Sequence, residues 1–197
     1  MDKGRVAAFT DAVVAIIMTI MILEFKTPET FEWDGLLEQL PYLFAFAVSF
    51  LFISVAWYNH HYMFALAPKI TKKIFWLNSA WLFSMSLIPV ATAWAGKFID
   101  KPVPEYFYVI VFFIWSVAYL GLTLGIVNAA KESGNEEAAD KISAMTIFRY
   151  LKSWLSYAVY VIVLVAIYFY PPTGMLITFI ELVVMAFKTT EDSDRVA

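Results

Sequence analysis

The sequence predicts an all-α, polytopic membrane protein with six transmembrane helices. Three observations predict it. Of 197 residues, 61% are hydrophobic and only 16% are charged, where a soluble domain is usually about 45–50% apolar; the mean hydropathy is +0.70. The apolar residues gather into six runs, most of them near the roughly 20 residues that a helix needs to cross a bilayer. The basic residues also segregate. With both termini on the cytoplasmic side, eleven of the 14 Lys and Arg residues fall in cytoplasmic segments, as the positive-inside rule requires.

The first run covers residues 6–25. Lys3 and Arg5 precede it, as in a signal peptide, but it is too long for an h-region, Asp11 interrupts it, and LEFKTPETF offers no small-x-small cleavage site. It is expected to be retained. Thr27 and Pro28 end it, and an acidic segment with Glu29, Glu32, Asp34 and Glu38 follows on the outer side. The second run, 40–58, continues into NHHYMFALAP. The third, 74–95, contains Pro89, and the fourth is 106–130. The charged stretch KESGNEEAADK separates it from the fifth, 153–170. Pro171, Pro172 and Gly174 then make a tight turn. The sixth run, 175–187, is short and holds Glu181. Residues 1–188 read as one membrane domain without internal repeats, and TTEDSDRVA, 189–197, as a disordered tail.

Composition also excludes functions. There is no cysteine, so no disulfide framework, thiol nucleophile or thiolate metal site. The net charge of −3 argues against nucleic acid as a partner. No Gly-rich phosphate loop, Ser/His/Asp arrangement or pair of carboxylates on one helix face is present, so no catalysis and no cofactor is expected. His60 and His61 are adjacent and diverge on a helix, whereas metal ligation wants i, i+3 or i+4 spacing; no metal site is expected.

Two constellations remain. Arg5 and Asp11 are charged at the head of an apolar helix, where ionisable groups need partners. Six residues, about 600° of helix, put them on different faces, so each looks to other helices, the alternative being that Arg5 snorkels to the cytoplasmic interface and Asp11 caps or hydrogen-bonds locally. His60, His61 and Asn78 are the polar candidates at that level. Trp57 and Trp76 could stack on the guanidinium. The second constellation is a stripe: Ile16, Ile20 and Leu23 fall at i, i+4, i+7 on one face, with the hydroxyl of Thr19 beside them. Periodicity alone leaves packing, lipid contact or an apolar pore open, the last able to gate by dewetting. Glu181 is expected near an interface or paired with Arg149 or Lys152. Glu24 and Lys26 read as flanking charge at the outer mouth of the first helix.

Arg5-x-x-x-Phe9-Thr10-Asp11 resembles the R-x-x-x-F-S-D signature at the head of the first helix in the endosomal/lysosomal potassium channel family, in its prokaryotic single-repeat branch. Thr10 replaces the usual Ser and keeps the hydroxyl. The following AVVAIIMTIMILEF, the segment Trp57-Tyr58-Asn59-His60-His61, and Asn78 and Pro89 extend the resemblance over about the first hundred residues. The resemblance implies a potassium-permeable cation channel without the TVGYG filter, built as a homotetramer with the first helix lining a central pore. It implies that Ile16, Ile20 and Leu23 form the constriction and that Thr19 supplies a hydroxyl ring linked to selectivity. Arg5, Phe9, Thr10, Asp11, Trp57, His60, His61 and Asn78 would form the signature and the interhelical network behind it. Potassium, other monovalent cations or protons would be the permeant partners, and the membrane of a prokaryotic cell the site. The rival reading is a proton-coupled carrier titrating Asp11, His60 or His61; a non-transporting scaffold is a third.

Overall fold

The computed structural model describes residues 1–188; the expected tail, 189–197, lies outside them. All regular structure among the described residues is helical. The first helix, α1, spans Lys3–Ile20 and tightens into a 3₁₀ turn over Met21–Glu24. Asp2 starts it, accepting a hydrogen bond from the backbone N–H of Arg5 at 2.8 Å, which satisfies one of the donors a helix N-terminus leaves free. A short α2, Trp33–Leu37, leads into α3, Leu40–Leu66, with Pro41 in the first turn, where its missing N–H costs nothing.

Thr71 caps α4, Lys72–Met85, and α5 follows as Ile88–Lys97. Together, Lys72–Lys97, they are long and apolar enough to cross a membrane. The break falls at Ser86–Leu87 because Pro89 cannot donate back into the preceding turn, so the helix restarts with the proline near its head. The longest helix, α6, is Pro102–Glu132. It ends at Gly134, whose φ of 72° is the left-handed conformation that glycine adopts without steric cost. Then come α7, Glu136–Ala144; α8, Thr146–Lys152; α9, Trp154–Phe169; and α10, Thr173–Phe187.

All six apolar runs are thus helical, but they do not all span alike. Among the described residues, four stretches are long and apolar enough to cross a membrane, and α8 with α9 makes a fifth only as a pair bent by 69°. Helix α10 has 15 residues, a rise of about 22 Å, shorter than the roughly 30 Å hydrocarbon layer. The charged stretch expected to be a mere separator ends α6 and starts α7, which buries Ala138, Ala139 and Ile142.

Helix α6 is the hub, packing on α4, α5, α7, α8, α9 and α10. Trp81, Trp115, Tyr108 and Tyr119 are fully buried around it. Helix α1 packs on α3, α4 and α5 at the side of this assembly.

Candidate functional site

Helix α1 has two unlike faces. Val6, Thr10, Val14, Ile17 and Met21 recur at three- and four-residue steps and are all buried. Thr10 is the polar member of this face, so its hydroxyl needs partners on both sides. It donates to the Val6 carbonyl at 2.9 Å, inside its own helix. It accepts from Nδ2 of Asn78, on α4, at 2.8 Å. With that amide nitrogen committed as donor, Oδ1 of Asn78 is the acceptor for Nε2 of His60, on α3, at 2.9 Å. The imidazole proton therefore sits on Nε2. Three helices are tied by one directional chain, His60 to Asn78 to Thr10 to Val6, and all three side chains are buried.

The imidazole of His60 is also sandwiched. It stacks on Trp81 with ring centroids 4.6 Å apart and planes 3° from parallel, and on Phe64 at 4.1 Å. Sequence reasoning missed these two rings, although spacing carried the signal: Trp81 is three residues from Asn78 and Phe64 four from His60, so each shares a helix face with the polar group it covers.

A second contact lies one residue further along α1. Nε1 of Trp57 donates to Oδ1 of Asp11 at 2.8 Å, and the same indole stacks on His61 at 5.5 Å. The structure thus brings together Thr10, His60 and Asn78 in one cluster, and Asp11, Trp57 and His61 in another. It does not bring Arg5 or Phe9 to either. Both are exposed on the other face of α1, and among the described residues the Arg5 guanidinium makes no ion pair. Trp76 is exposed as well.

That other face carries the stripe. Ile16 is 57% exposed, Ile20 45% and Leu23 76%. Arg5, Phe9 and Ala12 continue it toward the N-terminus at steps of four, three and four, all exposed. Thr19 lies beside it; its hydroxyl donates to the carbonyls of Ala15 and Ile16, both at 3.0 Å, so its oxygen lone pairs are left outward. Ile16 and Ile20 also edge a groove of about 420 Å³ shared with Pro89 and Val90 of α5.

Elsewhere the structure corrects one pairing. Glu181 accepts from the hydroxyl of Tyr150, not from Arg149 or Lys152. It also reveals a carboxylate that the sequence reading passed over. Glu105 is completely buried and accepts from the backbone N–H of Met175 at 3.1 Å, which ties the head of α6 to the first turn of α10. An acidic residue in the first turn after Pro102 and Pro104 was the available signal. Finally, Lys3 donates to the carbonyls of Ala65 and Ala67 at 2.8 and 3.0 Å, closing the C-terminus of α3.

Residues 5–89, which include every member of both polar clusters, match the family model described as endosomal/lysosomal potassium channel TMEM175. The chain is 36% identical over 173 residues to a potassium channel of Chryseobacterium, covering 87% of this chain and 85% of that one. It is 32% identical over 113 residues to the Gallus gallus endosomal/lysosomal proton channel TMEM175, covering 51% of this chain and 23% of that one. Among solved structures, a lysosomal potassium-selective channel TMEM175 homolog from Chamaesiphon minutus aligns with a TM-score of 0.71 at 22% identity, over 94% of this chain and 96% of that one. The two share a fold.

Proposed function

The chain belongs to the endosomal/lysosomal potassium channel TMEM175 family, in its prokaryotic branch, a family of cation channels and not of enzymes, and from that premise we propose that it conducts potassium through a pore lined by α1. One observation carries the reading. Helix α1 packs the face of Val6, Thr10, Val14, Ile17 and Met21 on its own protomer and leaves Ile16, Ile20 and Leu23 largely exposed. A second copy of the same stripe is its natural partner. In a homotetramer with α1 at the axis, four stripes make rings of isoleucine and leucine. The neck so formed is apolar and conducts only when it widens or wets. Thr19 adds a ring of hydroxyl oxygens whose protons are turned back to the helix, so that lone pairs face the ion. Selectivity for potassium is then weak, because one ring of hydroxyls offers fewer and softer ligands than stacked carbonyls. Both termini face the cytoplasm of a prokaryotic cell, in keeping with the charge distribution.

In this reading the polar clusters are the brace that holds α1 against α3 and α4. The geometry favours a brace over a proton carrier. His60 gives its Nε2 proton to Asn78, is covered on its faces by Trp81 and Phe64, and is buried.

The test is cation flux in proteoliposomes loaded with potassium. Ile16→Ala, Ile20→Ala and Leu23→Ala each change potassium flux by roughly tenfold, equivalent to ~1.4 kcal/mol in the barrier. Asp11→Asn, which keeps Oδ1 for Trp57, leaves flux within a few-fold. Unchanged flux in all three stripe variants, with intact assembly, sinks the pore assignment. Loss of pH-driven uptake in Asp11→Asn alone points to the carrier.

A further inference from the structure

The bend between α8 and α9 opens a notch at one end of the bundle that the pore does not use. Its volume is about 430 Å³. Asn128 and Lys131 of α6, Ser143 of α7, and Arg149 and Lys152 of α8 supply its polar wall, and no carboxylate lines it. Among the described residues, the ion pairs are Lys101 with Asp100 and Lys141 with Glu137, so none of the notch's three cations is paired. Glu181, the partner that sequence spacing suggested for Arg149 or Lys152, is held by Tyr150 inside the bundle. Three unpaired positive charges around one notch repel each other, and an anion seated among them removes that cost.

The notch also carries the marks of a membrane boundary. Lys131 lies in the last turn of α6, and α9 begins at once with Trp154 and Leu155, both exposed. An exposed tryptophan at a helix head is the usual marker of the headgroup layer. The other walls are apolar: Leu124, Val127 and Phe148.

We propose that this notch binds the phosphodiester headgroup of an anionic phospholipid. The planar guanidinium of Arg149 meets two phosphate oxygens, and Lys131 and Lys152 act as point charges beside it. Asn128 and Ser143 carry further donors, while the acyl chains run down Leu124 and the exposed face of α9. Basic pockets between transmembrane helices suit such headgroups. The orientation proposed above places the notch in the cytoplasmic leaflet; the site itself does not depend on conduction.

The experiment is native mass spectrometry of the detergent-purified protein with phosphatidylglycerol or with phosphatidylcholine of the same acyl chains. Phosphatidylglycerol binds at least tenfold more tightly. Lys131→Gln/Arg149→Gln/Lys152→Gln weakens it roughly a hundredfold, and Arg149→Gln alone, the variant least able to disturb folding, roughly tenfold. The control Lys69→Gln/Lys72→Gln/Lys73→Gln removes equal charge from the same end of the bundle and leaves binding within threefold. Equal binding of the two lipids overturns the proposal, as does equal weakening by the control, which would make the attraction diffuse. A third arm uses inorganic phosphate: if phosphate alone raises the melting temperature as much as the lipid does, the site takes a free anion and not a headgroup. No arm measures flux, so failure here is distinct from failure of the pore.

Discussion

At the scale of single residues, Asn78 is the middle link of the first cluster, because it both accepts from His60 and donates to Thr10. Replacing it by leucine leaves both partners buried without their bond. An orphaned buried donor or acceptor costs about 1–3 kcal/mol, so Asn78→Leu is expected to destabilise by roughly 2–4 kcal/mol and to lower the melting temperature in detergent. Thr10→Ser keeps the hydroxyl and is close to neutral, whereas Thr10→Val loses about 1–2 kcal/mol. The double variant Thr10→Val/Asn78→Leu costs less than the sum of the singles, since the shared bond is lost only once; strict additivity would show that the chain does not act as a unit. The depth of these groups was legible in the sequence, since polar residues in apolar runs must find each other. Their pairing was not. Arg5 and Phe9 belong to the same short signature as Thr10 and Asp11, but steps of four and three from Arg5 through Phe9 and Ala12 lead to Ile16, on the opposite face. A contiguous motif on a helix is shared between two faces, and only rotation about the axis tells which residues meet.

At the scale of elements, the order of apolar runs was legible because hydropathy depends on the solvent and not on the partner helix. The 69° bend at Ser153 and the break at Ser86–Leu87 were less so, because where a helix yields depends on what packs beside it. Helix α7 was missed outright: its buried face is only Ala138, Ala139 and Ile142, too small to stand out among Glu136, Glu137 and Asp140. Close packing of elements yields a paired prediction at two glycines. A Cβ on Gly96 of α5 would lie 2.9 Å from the Cα of Tyr42 on α3. Backbone cannot swing aside as a side-chain tip can, so Gly96→Ala is expected to push α3 and α5 apart and to destabilise by about 1–3 kcal/mol. Gly121, inside α6, has the Leu77 Cδ2 at 3.7 Å as its nearest neighbour, ordinary contact distance. Gly121→Ala should therefore stabilise by about 0.5–1 kcal/mol through the glycine's lost backbone freedom. Thermal unfolding of the two variants beside the wild type decides it; a loss at Gly121 equal to that at Gly96 would show that neither spacing controls the packing.

At the scale of the whole molecule, the question is what covers the outer face of α1, and the chain's own composition supplies a clean probe. It contains no cysteine, so a single introduced thiol is the only one per protomer. A disulfide needs Cβ atoms about 3.5–4.5 Å apart, a separation that two copies of one residue reach only near a symmetry axis. In the proposed tetramer, Ile16→Cys, Ile20→Cys and Leu23→Cys bring thiols together at the neck and give covalent dimers on denaturing gels after mild oxidation. Val161→Cys, on an equally exposed face of α9, stays monomeric because that face meets lipid. The same variants separate a pore from a mere interface. A small water-soluble cationic thiol reagent reaches a thiol in a wetted pathway and alters potassium flux, but does not reach one sealed between helices. Cross-linking with reagent-sensitive flux fits a central pore lined by the stripe. Cross-linking without reagent sensitivity makes α1 a dry oligomer contact and moves the ion path elsewhere. Stripe thiols that behave like Val161→Cys return α1 to the lipid, and the pore with it falls.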